Sequence, residues 1–226
     1  MSRGEEVRRM FDAIAWRYDL MNRLMTLGQD QRWRRFVVKQ SGLEDHGAML
    51  DLACGTGDIT AAAHHSHPHC TIVGADFSPI MLHVAKKRFS HLPIHWQMAD
   101  AYQLPFRSGS LSAVTFGYLM RNVDEPVAVL REVHRVLAPG GRVVCLDTTP
   151  PRGLMRPLTN FHFRVIIPLL GRLVAGDHGA YQYLTGSTMG FYEADQLAGL
   201  FTEAGFSVVG FRKFMLGTIA VHWGSR

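Results

Sequence analysis

Ala48-Met49-Leu50-Asp51-Leu52-Ala53-Cys54-Gly55-Thr56-Gly57-Asp58 is a short apolar run that ends in a glycine turn and leads into a helical pattern from about Ile59 to His65. Gly55 and Gly57 let the backbone turn tightly and approach a ligand closely. A dinucleotide site would want a third glycine for close helix packing, and Thr60 stands in that position. The turn also carries carboxylates at Asp51 and Asp58. A pyrophosphate at a helix N-terminus wants N–H donors and is disfavoured by nearby negative charge. S-adenosylmethionine has no phosphate and carries a sulfonium and an ammonium, so this turn reads as a site for that nucleoside rather than for NAD.

The pattern repeats downstream. Thr71 to Ala75 is a second β-rich run closed by Asp76-Phe77. Ser78 is placed to cap the next helix and Pro79 suits its first turn. Ile94 to Met98 is a third run closed by Asp100-Ala101, and Leu111 to Phe116 is a fourth, followed by Gly117. Asp124 is placed to cap a helix from Glu125 to Leu137, stopped by Pro139-Gly140-Gly141, before a fifth run at Val143 to Leu146. Strand and helix have alternated four times, which predicts an α/β fold with a mostly parallel sheet covered on both faces. An acid at the end of the second strand suits ribose hydroxyls, and one at the end of the third can reach an adenine amino group. Helix capping is the competing role for both Asp76 and Asp100.

The tail departs from this rhythm. A helix from Ala194 to Ala204 precedes two close runs, Ser207 to Phe214 and Thr218 to Trp223, which predict an antiparallel hairpin at the sheet edge. Upstream of the sheet, Val7, Met10, Phe11, Ile14, Tyr18 and Met21 form one apolar stripe at helical spacing. The whole chain, 1–226, is expected to be one domain, with residues 1–45 as a helical cap and 150–192 as a lid on the acceptor side.

Composition narrows the class. With 226 residues and 47% hydrophobic content, the chain can bury one substantial core. Three cysteines with no paired spacing fit a reducing cytoplasm. The longest apolar stretch, Phe161 to Ala175, is interrupted by Arg164, Pro168 and Arg172 and is too short to span a bilayer. A net charge of +5 is modest, and nucleic acid is not expected as a partner. His64, His65, His67 and His69 lie near Cys70, but their spacing at a helix end does not bring four ligands to one side. No acidic partner stands nearby in sequence, so a solvated turn and no metal are expected.

The order of these segments resembles the ubiquinone/menaquinone biosynthesis C-methyltransferase family. The resemblance is carried by Met10 to Ala15, Tyr18-Asp19-Leu20-Met21-Asn22, Leu27-Gly28, Trp33, Leu50 to Thr60, Leu104-Pro105-Phe106, Met120-Arg121-Asn122-Val123, Val136 to Gly141, and Tyr181-Gln182-Tyr183-Leu184 with Ser187. It implies a class I, Rossmann-like S-adenosylmethionine-dependent methyltransferase that leaves S-adenosylhomocysteine as product. The acceptor it implies is a polyprenylated hydroquinone, most specifically demethylmenaquinol, methylated on a ring carbon. The family's cofactor contacts then fall on Thr56, Asp76, Asp100, Ala101 and Gly117, and the reading of the turn and strand ends adds Asp51, Gly55, Gly57 and Phe77. The family often has serine where Gly117 stands and glycine where Cys54 stands, and Cys54 reads as structural. It commonly shows Glu-Phe-Ser-x-Pro where this chain has Asp147-Thr148-Thr149-Pro150-Pro151, and Phe-Pro where this chain has Met189-Gly190-Phe191-Tyr192. These departures lie on the acceptor side.

A phenol carbon becomes a good nucleophile when the neighbouring hydroxyl loses its proton, so the site needs a base or a cation. Arg121 is the candidate cation, His178 the candidate base and Tyr181 a further catalytic candidate. Tyr18, Asn22, Tyr118, Asn122 and Tyr183 are candidates to orient the ring. Arg121 has a competing structural role, as partner of Asp19 or Asp124. The insert's Met155, Leu158, Phe161, Ile166, Ile167, Leu169 and Leu170, among Arg152, Arg156, Arg164 and Arg172, suit a prenyl tail or peripheral contact with a membrane surface. A homodimer is left open. The rival readings are another small phenolic acceptor, an NAD-dependent dehydrogenase, and an RNA-modifying protein suggested by the pI of 9.4.

Overall fold

Apolar residues alternate along the strands, and that alternation sorts the core into two layers. Leu50, Leu52, Val114, Phe116, Val143 and Cys145 face one side of the sheet. Met49, Ala113, Val144 and Leu146 face the other. The computed structural model describes residues 3–150, 159, 161, 165, 183 and 186–226. Within them the parallel strands are β1 (Ala48–Leu52), β2 (Thr71–Asp76), β3 (His95–Met98), β4 (Leu111–Gly117) and β5 (Leu137–Thr148). The interleaved helices are α4 (Asp58–Ser66), α5 (Pro79–Arg88) and α6 (Pro126–Val136), preceded by α1 (Arg3–Ile14), α2 (Tyr18–Thr26) and α3 (Asp30–Gln40). After the insert come α7 (Ala194–Glu203), β6 (Ser207–Phe214) and β7 (Ile219–Ser225).

The sheet order is β3-β2-β1-β4-β5-β7-β6. β1 pairs in parallel with both β2 and β4, so the order reverses beside it and a crevice opens at the strands' carboxyl ends. One layer packs Leu130, Val133, Phe201 and Phe206 from the α6 and α7 side. The other packs Trp33, Val37, Ile59 and Ala63 from α3 and α4. Each such fully buried large side chain contributes about 1.5–3 kcal/mol relative to exposure.

The structure departs from the sequence reading in three places. The N-terminal stripe is two helices, because the chain breaks at Trp16-Arg17 before Tyr18 restarts it. β5 begins at Leu137, since Leu137 pairs with Leu111 ahead of a register shift that absorbs Pro139 and Gly140. The terminal antiparallel hairpin forms at the sheet edge as expected, with β7 against β5 and β6 outermost. The N-cap residue of α6 is Glu125 rather than Asp124. The Tyr102 hydroxyl accepts from the backbone N–H groups of Asp124 and Glu125, at 3.0 and 3.1 Å. The cap expected at Ser78 is present, with its hydroxyl accepting from Met81 N at 2.9 Å.

Candidate functional site

Two residues at the reversal point hold backbone conformations that favour glycine. Ala53, just after β1, has φ 51°, and Tyr118, just after β4, has φ 60°. Such strain concentrates where a chain is shaped for a ligand. Between them lies a cavity of about 350 Å³, within the range of small-molecule sites. It is lined by Ala53 and Gly55 after β1, Asp76 and Phe77 after β2, Asp100 and Ala101 after β3, and Gly117 and Tyr118 after β4. Tyr18 from α2 and Asn122 also reach it. Gly55 has φ 56° and nothing within 4 Å of where a side chain would start, so a ligand can press against its backbone.

Asp76 organises the turn. Its Oδ2 accepts from Gly55 N at 2.8 Å and its Oδ1 from Ser78 N at 2.8 Å. Burial pushes its pKa up, and these N–H groups pull it back. Asp100 is exposed at the rim, and its Oδ1 accepts from Tyr102 N at 2.9 Å.

The other carboxylates of the glycine turn serve differently from the sequence reading. Asp58 does not face the cavity: Arg34 pairs with it, and Arg88 Nη2 binds its Oδ1 at 2.8 Å. Asp51 is enclosed, with Thr60 donating to Oδ2 at 2.6 Å and Thr115 to Oδ1 at 2.9 Å. Thr60, read only as a missing glycine, is thus the group that fixes Asp51. Gly57 has φ 88°, and a Cβ there would meet Trp96 at 2.7 Å, so close packing as well as the turn requires glycine here. Cys54 is a poor nucleophile, since burial and then Asp76 and Asp51 push its pKa well above the ordinary thiol value.

Asp51 gives a pH-dependent prediction. Burial raises its pKa from 3.8 to about 6. From pH 3.8 to about 6 the folded state therefore keeps a proton that the unfolded state has lost, and stability falls as pH rises. The ionised carboxylate costs about 3 kcal/mol at pH 7. Thermal melts of Asp51→Asn should match wild type below pH 4 and exceed it by about 6–12 °C at pH 7. An offset that does not change with pH would contradict this.

The N-terminal helices lock onto the glycine turn through residues that sequence reading missed. Thr56 Oγ1 donates to Asp19 Oδ1 at 2.6 Å. Arg88 Nη1 reaches Asp19 Oδ2 at 2.6 Å and Thr56 O at 2.9 Å. Ser78 donates to Asp12, and Arg34 also pairs with Asp30 at 3.5 Å. The Thr56 hydroxyl, expected to touch the cofactor, is directed to the cap, and Thr56 lines a small side pocket with Asp51. Asp19 was within reach of the sequence, inside Tyr-Asp-Leu-Met-Asn. Arg88, one of three consecutive basic residues at a helix end, gave no signal of its own.

A second cavity adjoins the first, sharing Val123 and Asp124 with it and adding Arg121, Tyr183, Ser187, Phe191 and Tyr192. Arg121 is buried, and it pairs with Asp147 at the end of β5. Nη1 donates to Asp147 Oδ1 at 2.6 Å, and the guanidinium sits 4.8 Å from the Tyr118 ring centre. Burial opposes its charge, but Asp147, Tyr18 and Tyr118 more than offset this and raise its pKa. Tyr183 donates to Asn122 Oδ1 at 2.9 Å, and Asn122 Nδ2 donates to Tyr118 O at 2.6 Å. Asn122 thus stands between the cavities. Asn22 is buried on α2, beside Tyr18. Burial raises the Tyr18 and Tyr118 pKa values, so both are neutral hydroxyls near pH 7. His178, Tyr181 and most of the insert's apolar and basic residues lie outside the described residues.

The histidine turn also differs from expectation. An acid that is distant in sequence, Asp45, lies against His67 and Cys70. No helix among the described residues is long and apolar enough to cross a membrane.

Comparison with known proteins gives a consistent result. The model of the ubiE/COQ5 methyltransferase family matches residues 1–226. A ubiquinone/menaquinone biosynthesis C-methyltransferase from Desulfotalea psychrophila is 59% identical, covering 99% of this chain and 92% of its own. A demethylmenaquinone methyltransferase from Thermus thermophilus is 40% identical, covering 96% and 100%. Among solved structures, the [4+2]-cyclase SpnF superposes with a TM-score of 0.71 at 15% identity, covering 97% of this chain and 94% of its own. A Haloferax volcanii methyltransferase solved with the Trm112 activator gives 0.69 at 17%, covering 95% and 96%. At such identities the likeness extends to the fold, and a cyclase on that fold shows that the fold alone does not choose the reaction.

Proposed function

Since this chain belongs to the ubiE/COQ5 methyltransferase family, we propose that the two adjoining cavities hold, respectively, S-adenosylmethionine and the ring of demethylmenaquinol. The protein is an S-adenosylmethionine-dependent C-methyltransferase of quinone biosynthesis. The observation that carries the reading is the first cavity, with Gly55 open to it and Asp76 and Asp100 at the ends of successive strands.

The residues fit the cofactor. Asp76 is placed for the ribose hydroxyls, Asp100 and Ala101 for the adenine edge, and Phe77 to cover the base. Gly55 and Gly117 leave room for the methionine part. When bound, S-adenosylmethionine supplies an electrophilic methyl; its sulfonium already carries the activating charge, so the transfer as proposed requires no metal.

The chain's own work is positioning and charge. Holding methyl and ring carbon near 3–3.5 Å can supply several kcal/mol. Arg121, fixed by Asp147, stabilises the phenolate that forms as the ring hydroxyl loses its proton. His178 is the proposed base, and Tyr18, Asn22, Tyr118, Asn122, Tyr181 and Tyr183 frame the ring. Residues 150–192 act as a lid whose apolar and basic side chains take the prenyl tail at a membrane surface.

The test is incubation with S-adenosylmethionine bearing a labelled methyl and either demethylmenaquinol or soluble phenols. Label on the ring carbon of menaquinol is the expected result. Label only on a soluble phenol would overturn the acceptor.

A further inference from the structure

We propose that Asp45, His67 and Cys70 form a zinc-binding site on the side of the sheet remote from the cofactor cavity. Asp45 lies in the loop that leads from α3 to β1, and His67 and Cys70 lie in the turn that leads from α4 to β2. Their ligand atoms all lie within 4.8 Å of one another. Zinc bonds of 2.0–2.3 Å at tetrahedral angles put ligand atoms roughly 3.5 Å apart, so small side-chain rotations close the site.

The donor set suits the ion. One thiolate, one imidazole and one carboxylate fit a borderline-soft divalent metal, with water in the fourth position. Cys70 is buried, His67 half-buried and Asp45 exposed, which gives an ion a path from solvent. Among the described residues, the Asp45 and His67 side chains make no hydrogen bond or ion pair. The Cys70 thiol packs at the edge of the core and donates to the Glu44 carbonyl at 3.1 Å. His67 and Cys70 are separated by two residues, and Cys70 N donates to His67 O at 3.1 Å in the same turn. Such a two-residue gap is a recurrent zinc chelate.

Binding breaks the Cys70 S–H bond, forms the zinc–sulfur bond and releases one proton to solvent. The ion would clamp the two loops where Thr71 N already donates to Gly47 O at 2.9 Å. The inferred role is structural, and it is independent of the proposed acceptor.

The experiment is calorimetric titration of untagged, chelator-treated full-length protein with zinc chloride, together with cobalt-substituted absorption spectra. One zinc per chain with micromolar or tighter affinity, a thiolate-to-cobalt charge-transfer band and a raised Tm are expected. Cys70→Ser and Asp45→Asn should each weaken binding at least tenfold, while His95→Gln, on exposed β3, leaves it unchanged. Cys70→Ser abolishes the charge-transfer band even where a residual site persists. Absence of zinc binding, or an undiminished affinity and band in Cys70→Ser, would overturn the site.

Discussion

Asp76→Ala should raise the Kd for S-adenosylhomocysteine at least 100-fold. Two losses add. The carboxylate proposed to receive the ribose hydroxyls disappears, and charge-assisted hydrogen bonds of that kind contribute about 1.5–3 kcal/mol. The same carboxylate also accepts from Gly55 N and Ser78 N, so the glycine turn loses its tie to β2. Asp76→Asn separates the two effects. An amide oxygen can still take one backbone N–H, so part of the turn is retained, and the expected loss is nearer tenfold. Calorimetry on both variants checks the order; equal and small effects would mean that Asp76 serves the backbone alone.

Arg121→Lys should reduce kcat about 100-fold while leaving the S-adenosylhomocysteine Kd within about threefold. Lysine keeps the charge but not the planar fork that meets Asp147 and lies over Tyr118. A displaced charge at the forming phenolate loses transition-state stabilisation of about 3 kcal/mol. Stability should also fall, because Asp147 is buried and would be left without its hydrogen-bonded partner. Arg121→Ala should destabilise by about 3–5 kcal/mol for the same reason. Steady-state kinetics, with melts as a control for folding, distinguish a role at the reaction from a purely structural pair: the latter would lower Tm in Arg121→Lys with kcat preserved.

The sheet was legible because short apolar, β-rich runs and carboxylates at their ends are local signals. Asp76, Asp100, Gly55 and Gly117 could be placed from them, and all four line the cavity. The ion pairs were not legible. Asp58 looked like a free charge for a cationic ligand, yet it meets Arg34, 24 residues away, and Arg88, 30 residues away. Pairing across such distances depends on how helices pack, which no local pattern records. Asp147 was noted only as a departure from a motif, although it ends a strand just as Asp76 does. The place of β7 beside β5 was equally hidden, because a hairpin's sequence does not say which of its strands meets the sheet.

The central claim is that the cavity at the β1–β4 reversal holds the methyl donor. Amide hydrogen exchange with and without S-adenosylhomocysteine tests it most directly. The account predicts new protection in 53–57, 76–78, 99–102 and 117–119, spreading to α1 and α2 through Asp12 and Asp19. Protection confined to other segments, or none at saturating ligand, would contradict it.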